Sequence, residues 1–170
     1  MSGDRLSPAS LLTLQNLIAR IEAQGGTAEG ARLRGEAARK LEESASDKLR
    51  DGSLEAAVDD LKAALALDPK APDVERLLVE ALLRSGRRAL RDGRRQKAIG
   101  LGREATASSA AGPDARVFLG DALASAKNYK AAAVEYESAA AARPDDRKLQ
   151  RRLQKVRMLA QRTAAAAQTR

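Results

Sequence analysis

The sequence predicts an all-α fold of short helix pairs stacked in series, and three observations lead there. Of 170 residues, 37 are Ala and 23 are Leu, both strong helix formers, while the aromatics are three: Phe118, Tyr129 and Tyr136. Val and Ile are too scarce for a β-sandwich. Small residues also recur at a fixed interval. Gly86 and Gly120, Ala98 and Ala132, and Ala105 and Ala139 are each 34 residues apart. Gly52, Ala57 and Ala64 precede Gly93, Ala98 and Ala105 by 41, which is the same period plus about two helical turns.

Each element follows from local chemistry. Ser7-Pro8 reads as an N-cap with Pro at the first helical position, and Leu11, Leu14, Leu17, Ile18 and Ile21 fall on one stripe until Gly25-Gly26 stops the helix. A long helix is predicted from Thr27 to Arg50. Turns are predicted at Asp51-Gly52-Ser53, Asp92-Gly93 and Lys127-Asn128, where Gly or Asn takes a left-handed backbone. Pro69 and Pro144 end the helices before them. A last helix runs from Arg147 to about Gln161 with Leu149, Leu153 and Val156 on one side, and residues from Thr163 onward are expected to fray. One helix pair cannot bury its apolar face alone, so the pairs stack.

The best copy, residues 113–146, carries Leu119-Gly120, Leu123, Tyr129, Ala132, Tyr136, Ala139 and Pro144. This pattern resembles the tetratricopeptide repeat (TPR) family. The first copy, residues 38–71, keeps Leu41, Ala45, Gly52, Ala57, Leu61, Ala64 and Pro69. The middle copy, residues 79–112, keeps Leu82, Gly86, Ala98 and Ala105 but has Arg95 for the turn aromatic, Gly102 for the bulky residue and Ala110 for the Pro. Its second helix is expected to be the least tightly packed. The resemblance implies a right-handed α-solenoid of three helix hairpins. Residues 1–37 would then form an N-terminal cap with its extension, and residues 147–170 a basic capping helix and tail.

The resemblance also implies a concave groove, lined by the first helix of each repeat, that binds a partner peptide or surface. The matching positions are Arg39, Glu42, Ser46, Leu49 and Arg50 in the first copy. The second gives Glu80, Leu83, Arg84, Arg87, Leu90 and Arg91, and the third Asp114, Val117, Phe118, Asp121, Ala124 and Ser125. Arg84, Arg87 and Arg91 share a helix face beside Leu83 and Leu90, which suits an acidic peptide with an apolar anchor. One subclass of the family grips a C-terminal carboxylate with Lys and Asn. Those positions here read Glu42, Ser46, Arg84, Asp114 and Phe118, of which Arg84 alone is compatible, so a chaperone-tail clamp is not expected.

The formal charge of +8 is unevenly placed. Residues 147–170 hold eight bases and no acid, residues 42–80 eleven acids against five bases, and residues 81–103 eight bases against one acid. The tail bases Arg147, Lys148, Arg151, Arg152, Lys155 and Arg157 offer unspecific attraction to nucleic acid or an anionic surface. With no aromatic residue to stack on bases, nucleic acid is not the expected partner. The absence of His and Cys removes thiolate and imidazole metal sites and the His-dependent nucleophile pairs. The adjacent acids Glu42-Glu43, Asp59-Asp60 and Asp145-Asp146 diverge on a helix and make no dyad. No phosphate loop appears. No enzyme, cofactor or metal is expected. No apolar run reaches membrane-spanning length and no signal-peptide core follows Met1, so a cytoplasmic location is expected, and the Arg- and Ala-rich composition hints at a bacterial source. The expected function is a non-catalytic adaptor or scaffold for another protein. The alternatives are a subunit that assembles through its terminal helices and a binder of anionic surfaces through the tail.

Overall fold

The computed structural model describes residues 8–23 and 26–168. The expected cap at Ser7 and stop at Gly25 lie outside the described residues, as do Arg170 and the side chains of Leu11 and Leu14. Eight helices and no strand occur among the described residues: α1 (Pro8–Ala23), α2 (Thr27–Asp51), α3 (Leu54–Leu67), α4 (Pro72–Arg91), α5 (Arg95–Ala107), α6 (Pro113–Ser125), α7 (Tyr129–Ala142) and α8 (Arg147–Gln168). They fall into two compact units, residues 1–78 and 79–170, with α4 beginning in the first and ending in the second. None of these helices is long and apolar enough to cross a membrane.

In the first unit α1 packs on α2 and α2 on α3. Ala37, Leu41, Ala45 and Leu49 of α2 are buried at intervals of one turn, which makes a single stripe. Against it lie Ala57, Leu61 and Ala64 of α3, all fully buried. The small residues allow close approach and Leu61 fills the space between. A half-buried polar cluster fixes the same pair. Ser44 Oγ donates to Asp60 Oδ2 at 2.7 Å, and Lys48 Nζ donates to that same oxygen. On α1, Ile18 is buried, but Leu17, expected on the same stripe, is half exposed.

In the second unit each helix from α5 to α8 packs on the next. Tyr136 of α7 lies in the notch of Gly120: a Cβ there would come within 2.6 Å of its ring. The middle repeat has Gly102 where that Tyr would stand. Phe118 enters from α6 instead, its ring edge 2.4 Å from a Cβ built on Gly86 and 3.2 Å from one built on Gly102. The ring that the next repeat supplies from within is supplied here by the following helix. Helix α8 also outruns its expected end. Thr163 Oγ1 donates to the carbonyls of Leu159 and Ala160, and the Ala-rich stretch beyond is helical to Gln168.

The three predicted turns share one hydrogen-bond pattern. Backbone N–H groups of Ser53, Arg94 and Asn128 reach back to the carbonyls of Lys48, Ala89 and Leu123 at 2.8–2.9 Å, each across a left-handed residue. Gly52 and Gly93 take that conformation in the first two, but in the third it is Lys127, at φ 63°, and not Asn128. Asn128 caps α7 instead, its Oδ1 accepting from Ala131 N. A left-handed backbone costs an L-residue about 1 kcal/mol. Lys127→Gly is therefore expected to stabilise the second unit by about 0.5–1 kcal/mol, read as a raised urea midpoint at unchanged slope.

Candidate functional site

The first helix of each repeat, by its phase, exposes one face. In the second unit that face forms a groove of about 500 Å³, lined by Arg87, Leu90 and Arg91 of α4, Asp114, Val117, Phe118 and Asp121 of α6, and Arg152 of α8. Seven of these eight are positions that the resemblance assigns to the groove. Arg152 is not. The sequence places it among the tail bases, and it bonds Asp121.

Charge in the groove is arranged unevenly. One guanidinium nitrogen of Arg152 straddles the Asp121 carboxylate, 2.8 Å from Oδ2 and 3.0 Å from Oδ1. Tyr136 Oη donates to the same Oδ1 at 2.6 Å. Burial, and then this bond to a carboxylate, push the Tyr136 phenol well above its usual range, so it stays a donor. Asp114 receives Arg143 Nη1 at 2.7 Å. The Arg143 hydrogen bond, with a further contribution from Arg87, holds the Asp114 carboxyl below its usual range. The attraction is therefore present above the ordinary carboxylate range and fades as pH falls through the lowered value. Both groove carboxylates are thus engaged. Arg87 and Arg91 are exposed and have no hydrogen bond or ion pair among the described residues. Between them Leu90 is half-buried, and across the groove so is Val117, over a floor formed by Phe118.

Other predicted site residues lie elsewhere. Leu49, Leu83 and Phe118 are core residues, 5%, 8% and 3% exposed, because the small residues around them leave space that bulk must fill. Phe118 also lines the groove. Arg84 does not line it and sits 3.7 Å from Glu80 one turn earlier. Ala124 and Ser125 also stand outside the lining, Ser125 Oγ donating to Ala122 O. Arg39, Glu42, Ser46 and Arg50 come together in the first unit with Glu43 and Asp47, around a separate depression of mixed charge where Arg50 pairs with Asp47 at 3.0 Å. Of the tail bases, Arg157 turns to Glu137 at 2.9 Å, while Arg147, Lys148, Arg151 and Lys155 are exposed. Sequence phase alone could not find Arg152, whose partner is 31 residues away.

The sequence model of the family described as bacterial transcriptional activator domain matches residues 13–104. No curated protein matches the chain in sequence. Solved TPR structures share its fold. The chain is similar to the MamA protein (TM-score 0.53, 16% identity, covering 93% of this chain and 86% of that one). It is similar to the C-terminal TPR-containing domain of a Plasmodium falciparum FK506-binding protein (TM-score 0.53, 13% identity, 81% and 95%). It is also similar to the first TPR domain of Spaghetti (RPAP3) bound to the HSP90 peptide SRMEEVD (TM-score 0.50, 18% identity, 73% and 93%). At such identities the likeness is one of fold. The tetratricopeptide-type helix hairpins expected from the sequence are those of the structure.

Proposed function

The chain belongs to the bacterial transcriptional activator domain family, and from that premise we propose that it is a non-catalytic protein-interaction module. Its groove in the second unit takes a partner segment that offers carboxylates and one apolar side chain. The observation that carries this reading is the pair Arg87 and Arg91, exposed on one helix face with Leu90 between them and the apolar Val117 opposite. Guanidinium groups of this kind take carboxylates in charge-assisted hydrogen bonds, and a half-buried apolar strip gives an anchor somewhere to rest. A similar fold in Spaghetti (RPAP3) is bound to the peptide SRMEEVD, which supports an acidic ligand for this kind of fold. The family's name supports a place beside transcription in a bacterium.

The test is binding of a short labelled peptide of Glu and Leu. The intact chain should bind it, and more weakly as salt rises. Reversing Arg87 and Arg91 to Glu should weaken binding about tenfold or more with helix content unchanged, because attraction at the rim becomes repulsion. Equal affinity in the double variant would remove the groove reading. Binding of random RNA at physiological salt instead would favour the exposed bases Arg147, Lys148, Arg151 and Lys155 of α8.

A second reading, assembly through the terminal helices, draws on Leu17 of α1 and Met158 of α8, exposed by 50% and 60%. Light scattering of the intact chain against one lacking residues 1–26 separates the two.

A further inference from the structure

The groove walls from α4 and α6 alone do not explain a preference for acidic partners. Arg87 and Arg91 face Asp114 and Asp121 across it, so these four charges sum to zero. A neutral groove of this kind would take either sign of ligand. What changes the balance comes from later in the chain. Arg143, in the turn after α7, donates to Asp114 at 2.7 Å, and Arg152, on α8, straddles Asp121. Tyr136 Oη takes a further acceptor site on Asp121. With its charge paired to a guanidinium, each carboxylate attracts a cation and repels an anion less at short range.

We propose that Arg143 and Arg152 are specificity-determining residues, which make the groove select anionic over cationic partners by masking Asp114 and Asp121. The inference rests on the groove being the binding site, and it adds which residues set the ligand's sign. Both arginines lie outside residues 13–104, the stretch shared with the family, so this selectivity belongs to the C-terminal part of this chain. They act through the two carboxylates and are positioning residues that need not touch the ligand.

The experiment compares two labelled probe peptides, one of Glu and Leu and one of Lys and Leu, on the intact chain and three variants. In the intact chain the acidic peptide binds more tightly. In Arg143→Gln/Arg152→Gln the unmasked carboxylates should weaken the acidic peptide and strengthen the basic one, each by roughly threefold to tenfold, so the preference collapses or reverses. Adding Asp114→Asn and Asp121→Asn to that variant removes the exposed carboxylates and should restore the preference for the acidic peptide. A merely structural role for the arginines would not be rescued this way. Arg143→Lys/Arg152→Lys, which keeps the charge and the fold, should stay within about twofold of the intact chain. An unchanged ratio in the glutamine pair, no recovery in the fourfold variant, or a lost preference in the lysine pair each overturns the inference. If the intact chain itself fails to prefer the acidic peptide, the groove reading falls and this inference with it. If the intact chain prefers it and the glutamine pair does too, only the masking is refuted.

Discussion

Phe118→Ala is expected to destabilise the second unit by about 3–5 kcal/mol, the cost of removing a buried aromatic ring and leaving its cavity. The ring is 3% exposed and stands against two helices, over Gly86 of α4 and Gly102 of α5. Neither glycine has a side chain to collapse into the void, so relaxation is poor and the loss should fall in the upper half of that range. A second change tests the reason. Gly102→Leu, added to Phe118→Ala, puts bulk back where the middle repeat lacks it and should recover part of the loss. The same Gly102→Leu in the intact chain should destabilise, because a Cβ there already stands 3.2 Å from Phe118 and Leu119. Urea unfolding followed by circular dichroism reads all three. A loss below about 1 kcal/mol for Phe118→Ala would show that the ring is not the filling of that repeat.

Gly120→Val should cost about 1–3 kcal/mol or more, although most helix-interior glycines gain from replacement by a residue with a side chain. A Cβ at Gly120 meets three atoms of the Tyr136 ring at 2.6–3.1 Å. That ring cannot swing aside cheaply, because it is 2% exposed and its hydroxyl is bonded to Asp121. Gly100 in α5 is the control: it is exposed and an added Cβ meets nothing within 4 Å. Gly100→Ala should therefore stabilise, by roughly 0.5–1 kcal/mol. Opposite signs at the two glycines separate close packing from backbone propensity. Destabilisation at both, or gain at both, would contradict the notch.

Much of this packing was legible in the residue spacing, and the physical reason is specific. Two helices approach closely only where side chains are small. Ala57, Ala98, Ala132, Gly86 and Gly120 therefore had to recur with the repeat, and all five are buried. The turns were legible for the same kind of reason where Gly carries the left-handed residue. The third turn falls where expected, but its left-handed residue is Lys127, in a conformation its side chain disfavours, held by the backbone bonds that close α6. Phe118 was read as groove-lining from its phase in the repeat, and it does reach the groove. Its burial against the middle repeat depended on noticing that Gly102 leaves a space and that the chain's one Phe lies sixteen residues on. The pairing of Arg152 with Asp121 was not legible. Helical phase gives a side chain's direction on its own helix and not the partner that a neighbouring helix brings to it. The one sequence hint was that Asp121 has no base within one turn on its own helix.

The most direct measurement is a map of backbone amide shifts in the ¹⁵N-labelled intact chain as the Glu and Leu peptide is added. Recognition through the groove predicts that the largest changes fall at Arg87, Leu90 and Arg91 on α4 and at Val117, Phe118 and Asp121 on α6, saturating together. Changes confined to α1, or to Arg147, Lys148, Arg151 and Lys155 on α8, would contradict it.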